Sequence, residues 1–242
     1  GVRKPEDIYD VAESIDGSYI LRFQNLAKVL NVCLGFGFAE RIGDDVYNAA
    51  ILIDNHGEIV GKYHKTQLAE GTHKSWFFNR PGRSIRAFDT PFGRAGFLIC
   101  NDRWNPLIAR TLVLDGAKVL LIPSWGDKSE KQNKTVLARS RENGVPIVNA
   151  NVGMNLIVNK GDIAAYKWGN DQVTTAVIDV PLPASTDLAR GSEKNYMSVQ
   201  LIEAGRRYEE LQKYFRGERN LKHVADKGEM VMDVGRLVGL IE

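Results

Sequence analysis

The sequence predicts an α/β fold in which mixed β-sheets are covered by helices. Apolar runs at residues 48–54 and 59–65 flank a polar turn near His56-Gly57, a pattern typical of an antiparallel hairpin. Further along the chain, apolar runs alternate with amphipathic stretches, which is typical of strand–helix–strand units. The 242 residues are enough for one large domain with its own core.

The other elements are predicted from apolar runs and from the residues at their boundaries. Pro106 lies in the first turn of a predicted helix over 105–115, and Gly116 suits its C-cap. A second helix is predicted over 129–143, ending at Gly144. The remaining predictions are strands over 32–39, 93–100, 117–125, 145–153, 156–166 and 174–182, and a helix over 194–215.

Composition and charge exclude several function classes. The formal net charge is +2 and the basic residues are scattered, so no nucleic-acid partner is predicted. No apolar run approaches the roughly 18 residues of a membrane span, so no membrane association is predicted. Two cysteines, Cys33 and Cys100, cannot form a disulfide framework, which favours a reducing, cytoplasmic location. The four histidines show no metal-ligand spacing, and no metal is expected.

The stretch "GFLICNDRWNP" at residues 96–106 places Cys100 between an apolar strand and a polar turn. Most free cysteines are small core residues. A cysteine at a strand end followed by a tight turn, however, is presented at the edge of a sheet, as a nucleophile requires. A thiol also needs a base or a cation beside it to become a good nucleophile.

Two other predicted strand ends supply such groups. Glu40 in "GFAER" follows the strand predicted over 32–39, and Lys65 in "YHKTQL" ends the predicted hairpin. Either residue taken alone is as readily explained as a surface charge. Together with Cys100 they are three reactive side chains at three strand ends, and converging strand ends are where sites form in layered α/β proteins.

Five blocks in order resemble the nitrilase, or carbon–nitrogen hydrolase, superfamily over about residues 17–180. The blocks are "GFAER", "GKYHKTQL" with "RPG", "TPFGRAGFLICNDRWNP", "DGAKVLLIPSWG" and "ARSRENGVPIVNANVG". The resemblance implies one domain over 1–242 built as a four-layer α-β-β-α sandwich with two mixed sheets. Against the family pattern we expect an N-terminal strand region to be missing, and a helical tail to follow from about residue 205.

The resemblance also implies a Glu-Lys-Cys triad of Glu40, Lys65 and Cys100. Cys100 would attack the carbon of a small linear amide or N-carbamoyl compound and form a thioester acyl-enzyme. Glu40 would serve as general base and acid, and Lys65 with the backbone N–H of Asn101 would stabilise the oxyanion. No cofactor is needed by such a triad.

Four further positions have two interpretations each. Glu142 either supports the site or is a surface charge at a helix end. Trp125 either lines the substrate pocket or packs in the core. Arg103 either binds a substrate carboxylate or pairs internally with Asp102. Glu70 is either a further site carboxylate or an ordinary loop residue.

Two alternatives to the amidase hypothesis remain open. The same triad would hydrolyse a nitrile, and a protein of this fold without chemistry would act as a scaffold. The expected partners are a small amide, carbamoyl or nitrile substrate and further copies of this chain, in a homodimer or a larger homo-oligomer.

Overall fold

The computed structural model describes residues 7–68, 79–126 and 129–180, and a short C-terminal piece consisting of 193, 194 and 196–198. The elements in chain order are α1 (Ile8–Val11), α2 (Ser18–Leu30), β1 (Leu34–Ile42), β2 (Asp45–Ile53), β3 (Ile59–His64), β4 (Asn79–Arg80), β5 (Phe88–Thr90), β6 (Gly93–Phe97), a 3₁₀ turn (Cys100–Trp104), α3 (Pro106–Leu114), β7 (Val119–Ser124), α4 (Glu130–Asn143), β8 (Ile147–Asn151), β9 (Met154–Asn159) and β10 (Asp162–Trp168).

The strands form two mixed sheets, as predicted. In the first sheet β1, β2 and β3 are antiparallel neighbours, and β4 pairs parallel to β2. The second sheet has the order β10-β9-β8-β7-β6-β5. Its centre, β6-β7-β8, is parallel, and its outer pairs are antiparallel. The second sheet therefore presents three parallel carboxyl ends at one edge.

The core shows that the layers follow the order helix, sheet, sheet, helices. Helix α2 covers the outer face of the first sheet, where Ile20 and Ala27 pack with Ile51 and Ile53. The inner face of the first sheet packs on the second sheet through a cluster of Ala50, Leu52, Tyr63, Phe97 and Ile99. Helices α3 and α4 cover the outer face of the second sheet through Ile108, Leu112 and Val136. This is the expected α-β-β-α arrangement.

Local signals explain the ends of the two long helices beside the second sheet. The Asn105 side chain accepts a hydrogen bond from the Leu107 N–H, and Pro106 occupies the first turn of α3. Ser129 caps α4 in the same way. Gly144 ends α4 in the left-handed region, at φ 66°, where glycine has no steric penalty. Both helices begin and end close to their predicted limits.

Several elements differ from the sequence prediction: the short elements α1, β4 and β5 were not predicted, and β1 continues to Ile42. The single strand predicted over 156–166 is a hairpin of β9 and β10, turning at Lys160 and Gly161 with positive φ. Residues 174–180 of the strand predicted over 174–182 form no strand. Helix α2 was not predicted, because apolar residues lie on its exposed side as well as its buried side and obscure the helical period.

The C-terminal predictions fall mostly outside the described residues. This applies to the helix predicted over 194–215, of which only 194 and 196–198 are described, and to the tail from about 205. Within the described part of the chain, no helix is long and apolar enough to cross a membrane.

Candidate active site

Cys100 begins the 3₁₀ turn that follows β6, at the carboxyl edge of the parallel strands. In open α/β sheets this edge is where ligands bind. The thiol faces the residues after β7, with Cys100 Sγ 3.9 Å from the carbonyl oxygen of Trp125. A Cβ built on Gly126 would lie 4.0 Å from the same sulfur. The thiol is therefore held between the ends of two neighbouring strands, as predicted from its place after an apolar run.

The backbone of Cys100 lies in the left-handed region, with φ 48°. For a residue with a Cβ this conformation costs on the order of 1–3 kcal/mol, and it persists only where the surroundings fix it. Such conformations cluster at functional sites. The turn must therefore be held by specific contacts on both sides of the cysteine.

Asp102 supplies the contacts on one side of the turn. Its carboxylate is fully buried and accepts hydrogen bonds from the N–H of Ile99 at 2.8 Å, the hydroxyl of Tyr63 at 2.9 Å and the N–H of Gln67 at 3.0 Å. Burial raises the pKa of Asp102, although the positive charge of Lys65 acts in the opposite direction. Asp102 thus joins the cysteine turn to the segment that follows β3.

Lys65 follows β3 directly and is 1% exposed. Its N–H donates to the carbonyl of Asn48 at 2.8 Å, which continues the pairing of β2 with β3 by one residue. Lys65 therefore lies on the same sheet face as Tyr63, the face that packs on the second sheet. Because Tyr63 and Gln67, two residues before and two residues after Lys65, both hydrogen-bond Asp102, the structure brings this segment to the turn that carries Cys100.

Glu40 lies on the opposite face of the first sheet. It is fully buried, with Oε1 at 2.9 Å from Lys62 Nζ and Oε2 at 2.5 Å from His64 Nε2. Side chains alternate along a strand, so Lys62 and His64 point away from the face of Tyr63 and Lys65. The structure therefore does not bring Glu40 to Lys65 and Cys100, and the prediction of all three at one rim does not hold for Glu40.

The contacts of Glu40 account for its burial as a charged group. Burial by itself would raise the pKa of Glu40, but hydrogen bonds and positive charge from His64 and Lys62 outweigh it and hold that pKa below its ordinary value. The ring of Tyr47 stacks on His64, with centroids 4.2 Å apart. This cluster ties β1, β2 and β3 together on the outer side of the sheet.

Arg103 is fully buried beneath the cysteine turn. Its Nε donates to the carbonyl of Cys100 at 2.6 Å, its Nη1 to Asn149 Oδ1 at 3.2 Å and its Nη2 to Ser124 Oγ. All three guanidinium nitrogens thus contact the protein, and the interpretation of Arg103 as a ligand for a substrate carboxylate does not fit this position. Sequence reasoning missed Ser124 and Asn149, which lie within the strands predicted over 117–125 and 145–153.

The remaining candidates occupy different settings. Trp125 is 77% exposed, which does not fit core packing, and its backbone carbonyl is the group near the Cys100 thiol. Glu142 is half-exposed near the end of α4 and pairs with Arg139 at 3.2 Å, which fits the surface interpretation.

Asn101 follows Cys100 in the turn, and its side chain donates to the carbonyl of Leu68 at 3.4 Å. Glu70 lies outside the described residues. The described ranges contain no cluster of three or more His, Cys, Asp or Glu residues able to hold a metal ion.

Comparison with known proteins agrees with this architecture. The family model described as carbon-nitrogen hydrolase matches residues 1–183. N-carbamoylputrescine amidase from Oryza sativa is 32% identical over 172 residues, covering 70% of this chain and 55% of that protein. Citrullinase from Francisella tularensis is 34% identical over 119 residues, covering 48% of this chain and 42% of that protein. The chain thus spans about half the length of these curated relatives.

A solved structure shows the same fold. The carbon-nitrogen hydrolase from Helicobacter pylori G27 superposes with a TM-score of 0.65 at 22% identity, covering 80% of this chain and 74% of that one. Since the identity is low, this likeness concerns the arrangement of helices and strands.

Proposed function

Because the chain belongs to the carbon-nitrogen hydrolase family, we propose that it hydrolyses the C–N bond of a small linear amide or N-carbamoyl compound through a thioester on Cys100. The observation that carries the proposal is the position of Cys100. Its thiol lies at the carboxyl edge of the parallel strands, in a strained backbone conformation, on a turn whose Asp102 hydrogen-bonds Tyr63 and Gln67 on either side of the buried Lys65.

The proposed reaction has two steps. The sulfur of Cys100 forms a bond to the carbonyl carbon, and the tetrahedral intermediate then expels ammonia or an amine as the C–N bond breaks. The proton of the thiol is balanced by the proton taken up by the leaving nitrogen. Water then attacks the thioester, which releases the acid and restores the thiol.

Two groups stabilise the negative oxygen in this proposal. The ammonium of Lys65 supplies a buried positive charge, which acts strongly because little solvent reaches it. We assign the role of second donor to the backbone N–H of Asn101, the residue after the nucleophile in the turn. Glu40 is given no part in proton transfer, since its carboxylate lies on the other face of the sheet, between Lys62 and His64.

The carbamoyl class of substrate is supported by the relatives. The names of two of them, N-carbamoylputrescine amidase and citrullinase, denote substrates that contain a carbamoyl group on nitrogen. Trp125 lies exposed beside the thiol and would form one wall for such a substrate. Glu142 pairs with Arg139 and is given no role.

We also propose that the protein forms a homodimer or a larger homo-oligomer. Strand β10 is an edge strand of the second sheet, and Ile163 and Trp168 on it are each 55% exposed. Light scattering at micromolar concentration tests this proposal, and a monomer would contradict it.

Both cysteines are free thiols, which suits the reducing conditions of the cytoplasm.

The test of the proposed activity is ammonia release from a panel of amides, N-carbamoyl amines, N-carbamoyl amino acids and nitriles. Wild type, Cys100→Ala and Cys33→Ala are compared, with intact-mass spectrometry to detect the acyl adduct. We expect turnover and an adduct in wild type and in Cys33→Ala, and neither in Cys100→Ala. Undiminished turnover in Cys100→Ala would contradict the proposal, and turnover of nitriles alone would assign the same thiol to nitrile hydrolysis.

A further inference from the structure

We infer that Arg103 is a positioning residue for the nucleophile, acting through the backbone carbonyl of Cys100. The inference rests on the proposed function, since it concerns the same thiol. Since all three guanidinium nitrogens contact protein groups, we assign Arg103 a positioning role and not a catalytic one. Its role would be to hold the cysteine turn in the conformation that presents the sulfur.

The guanidinium makes one contact with each of three segments of the second sheet. Nε donates to the carbonyl of Cys100 after β6, Nη2 to the hydroxyl of Ser124 at the end of β7, and Nη1 to the amide oxygen of Asn149 in β8. The three nitrogens of a guanidinium are coplanar and fixed in direction. The carbonyl of Cys100 is therefore held relative to β7, which pairs with β6, and to β8, the next parallel strand of the sheet.

The strained backbone explains why such a contact is needed. Cys100 has φ 48°, and relaxation toward negative φ would change the direction in which its side chain is presented. Asp102 fixes the entry to the turn through the Ile99 N–H, and Arg103 fixes the exit through the Cys100 carbonyl at 2.6 Å. A hydrogen bond from a charged donor is about twice as strong as a neutral one, which suits a contact that opposes strain.

The expected effect is on the chemical step and not on substrate binding. A displacement of about 1 Å at a nucleophile costs on the order of 100-fold in rate. Arg103→Met should therefore lower kcat by about 100-fold and leave KM within about threefold. Arg103→Lys keeps the positive charge but loses the planar guanidinium, whose donors point in fixed directions toward three acceptors. This variant should lower kcat by about tenfold.

A milder variant keeps the test informative if Arg103 variants fail to fold. Ser124→Ala removes one acceptor of the guanidinium, and kcat should fall by about three- to tenfold. The matched control is Ser140→Ala, because Ser140 is a fully buried serine whose hydroxyl bonds Val145 and Gly161, remote from Cys100. Ser140→Ala should lower thermal stability and leave kcat unchanged.

A second readout does not depend on turnover. Iodoacetamide alkylates both thiols, so the rate at Cys100 is measured by peptide mass spectrometry relative to the rate at Cys33 in the same molecule. We expect this ratio to fall by about threefold or more in Ser124→Ala and Arg103→Lys, and to stay at the wild-type value in Ser140→Ala.

The outcomes separate this inference from the proposed function. Wild-type kcat and a wild-type alkylation ratio in folded Ser124→Ala and Arg103→Lys would overturn the positioning role, even if the amidase activity is present. Absence of turnover in wild type would refute the proposed function, and the alkylation ratio would still decide whether Arg103 positions the thiol.

Discussion

Glu40 and His64 meet on the outer side of the first sheet, where Glu40 Oε2 lies 2.5 Å from His64 Nε2. His64 is the last residue of β3, and Lys65 follows it. Because adjacent side chains of a strand point to opposite faces, the carboxylate bonded to His64 is separated from Lys65 by the sheet itself. Glu40, the buried acid that the sequence suggested as a base, is thus part of an ion-pair cluster with Lys62 and His64. Of Glu40 and Lys65, only Lys65 lies on the segment that meets the cysteine turn.

The first prediction concerns activity after loss of the Glu40 charge. Glu40→Gln keeps the side-chain shape and should leave kcat for the best substrate of the panel within about threefold of wild type, whereas Lys65→Met should lower kcat by about 100-fold or more. Steady-state kinetics on proteins with wild-type circular dichroism measures both. A folded Glu40→Gln with a loss as large as that of Lys65→Met would show that Glu40 takes part in the reaction.

The second prediction concerns the pH dependence of stability. The folded-state pKa of Glu40 lies below its ordinary value of 4.5, so the unfolded chain binds the proton more tightly. The stabilisation from this carboxylate is therefore complete above the unfolded pKa and is lost as the pH falls through the folded pKa. Urea unfolding between about pH 5.5 and about pH 3, a window that runs from about one unit above the ordinary value of 4.5 to well below it, should show wild type losing its advantage over Glu40→Gln toward the acid end. A constant difference across that window would contradict the assignment.

The third prediction concerns strain at the nucleophile. Cys100→Ala keeps a Cβ at φ 48°, whereas Cys100→Gly removes it. Both variants should be inactive, and Cys100→Gly should have a free energy of unfolding about 1 kcal/mol higher than Cys100→Ala, because glycine adopts positive φ at no steric cost. The same comparison at Ala95, a buried residue of β6, should give the opposite sign. Equal or lower stability of Cys100→Gly would mean that the turn is not strained.

The fourth prediction concerns Trp125. Since the side chain is 77% exposed, Trp125→Ala should change the free energy of unfolding by no more than about 0.5 kcal/mol. Its place beside the thiol leads us to expect a KM about tenfold higher with a smaller change in kcat. Trp168→Ala, which removes another exposed tryptophan on β10, is the control and should leave KM unchanged. An unaltered KM in Trp125→Ala would exclude a substrate contact.

The sequence predicted the elements that carry the thiol but not the direction of every candidate side chain. The strand predicted over 32–39 placed Glu40 just beyond its end, whereas β1 continues to Ile42 and includes Glu40. Inside a strand the direction of a side chain is fixed by the alternation of faces, so Glu40 is directed to the outer face and not beyond the edge of the sheet. Lys65 and Cys100 were less exposed to this error, because Lys65 follows β3 directly and Cys100 lies three residues beyond the end of β6.

Arg103 illustrates a second kind of limit. Its chemistry suits a substrate carboxylate, and nothing in "CNDRW" shows which way the guanidinium turns. The partners that decide it, Ser124 and Asn149, come from strands about 20 and 46 residues further along the chain. They meet Arg103 only because β6, β7 and β8 lie side by side in the second sheet.

By itself the sequence determined the α/β class, the mixed sheets and the placement of Cys100 and Lys65 at strand ends, since apolar periodicity and turn residues act over short distances. Only the tertiary structure decided which side chains share a face and which charges meet. It placed Glu40 with His64 and Lys62, and Arg103 under Cys100. The physical reason is that strand register and sheet packing fix these contacts, and both depend on residues far apart in the chain.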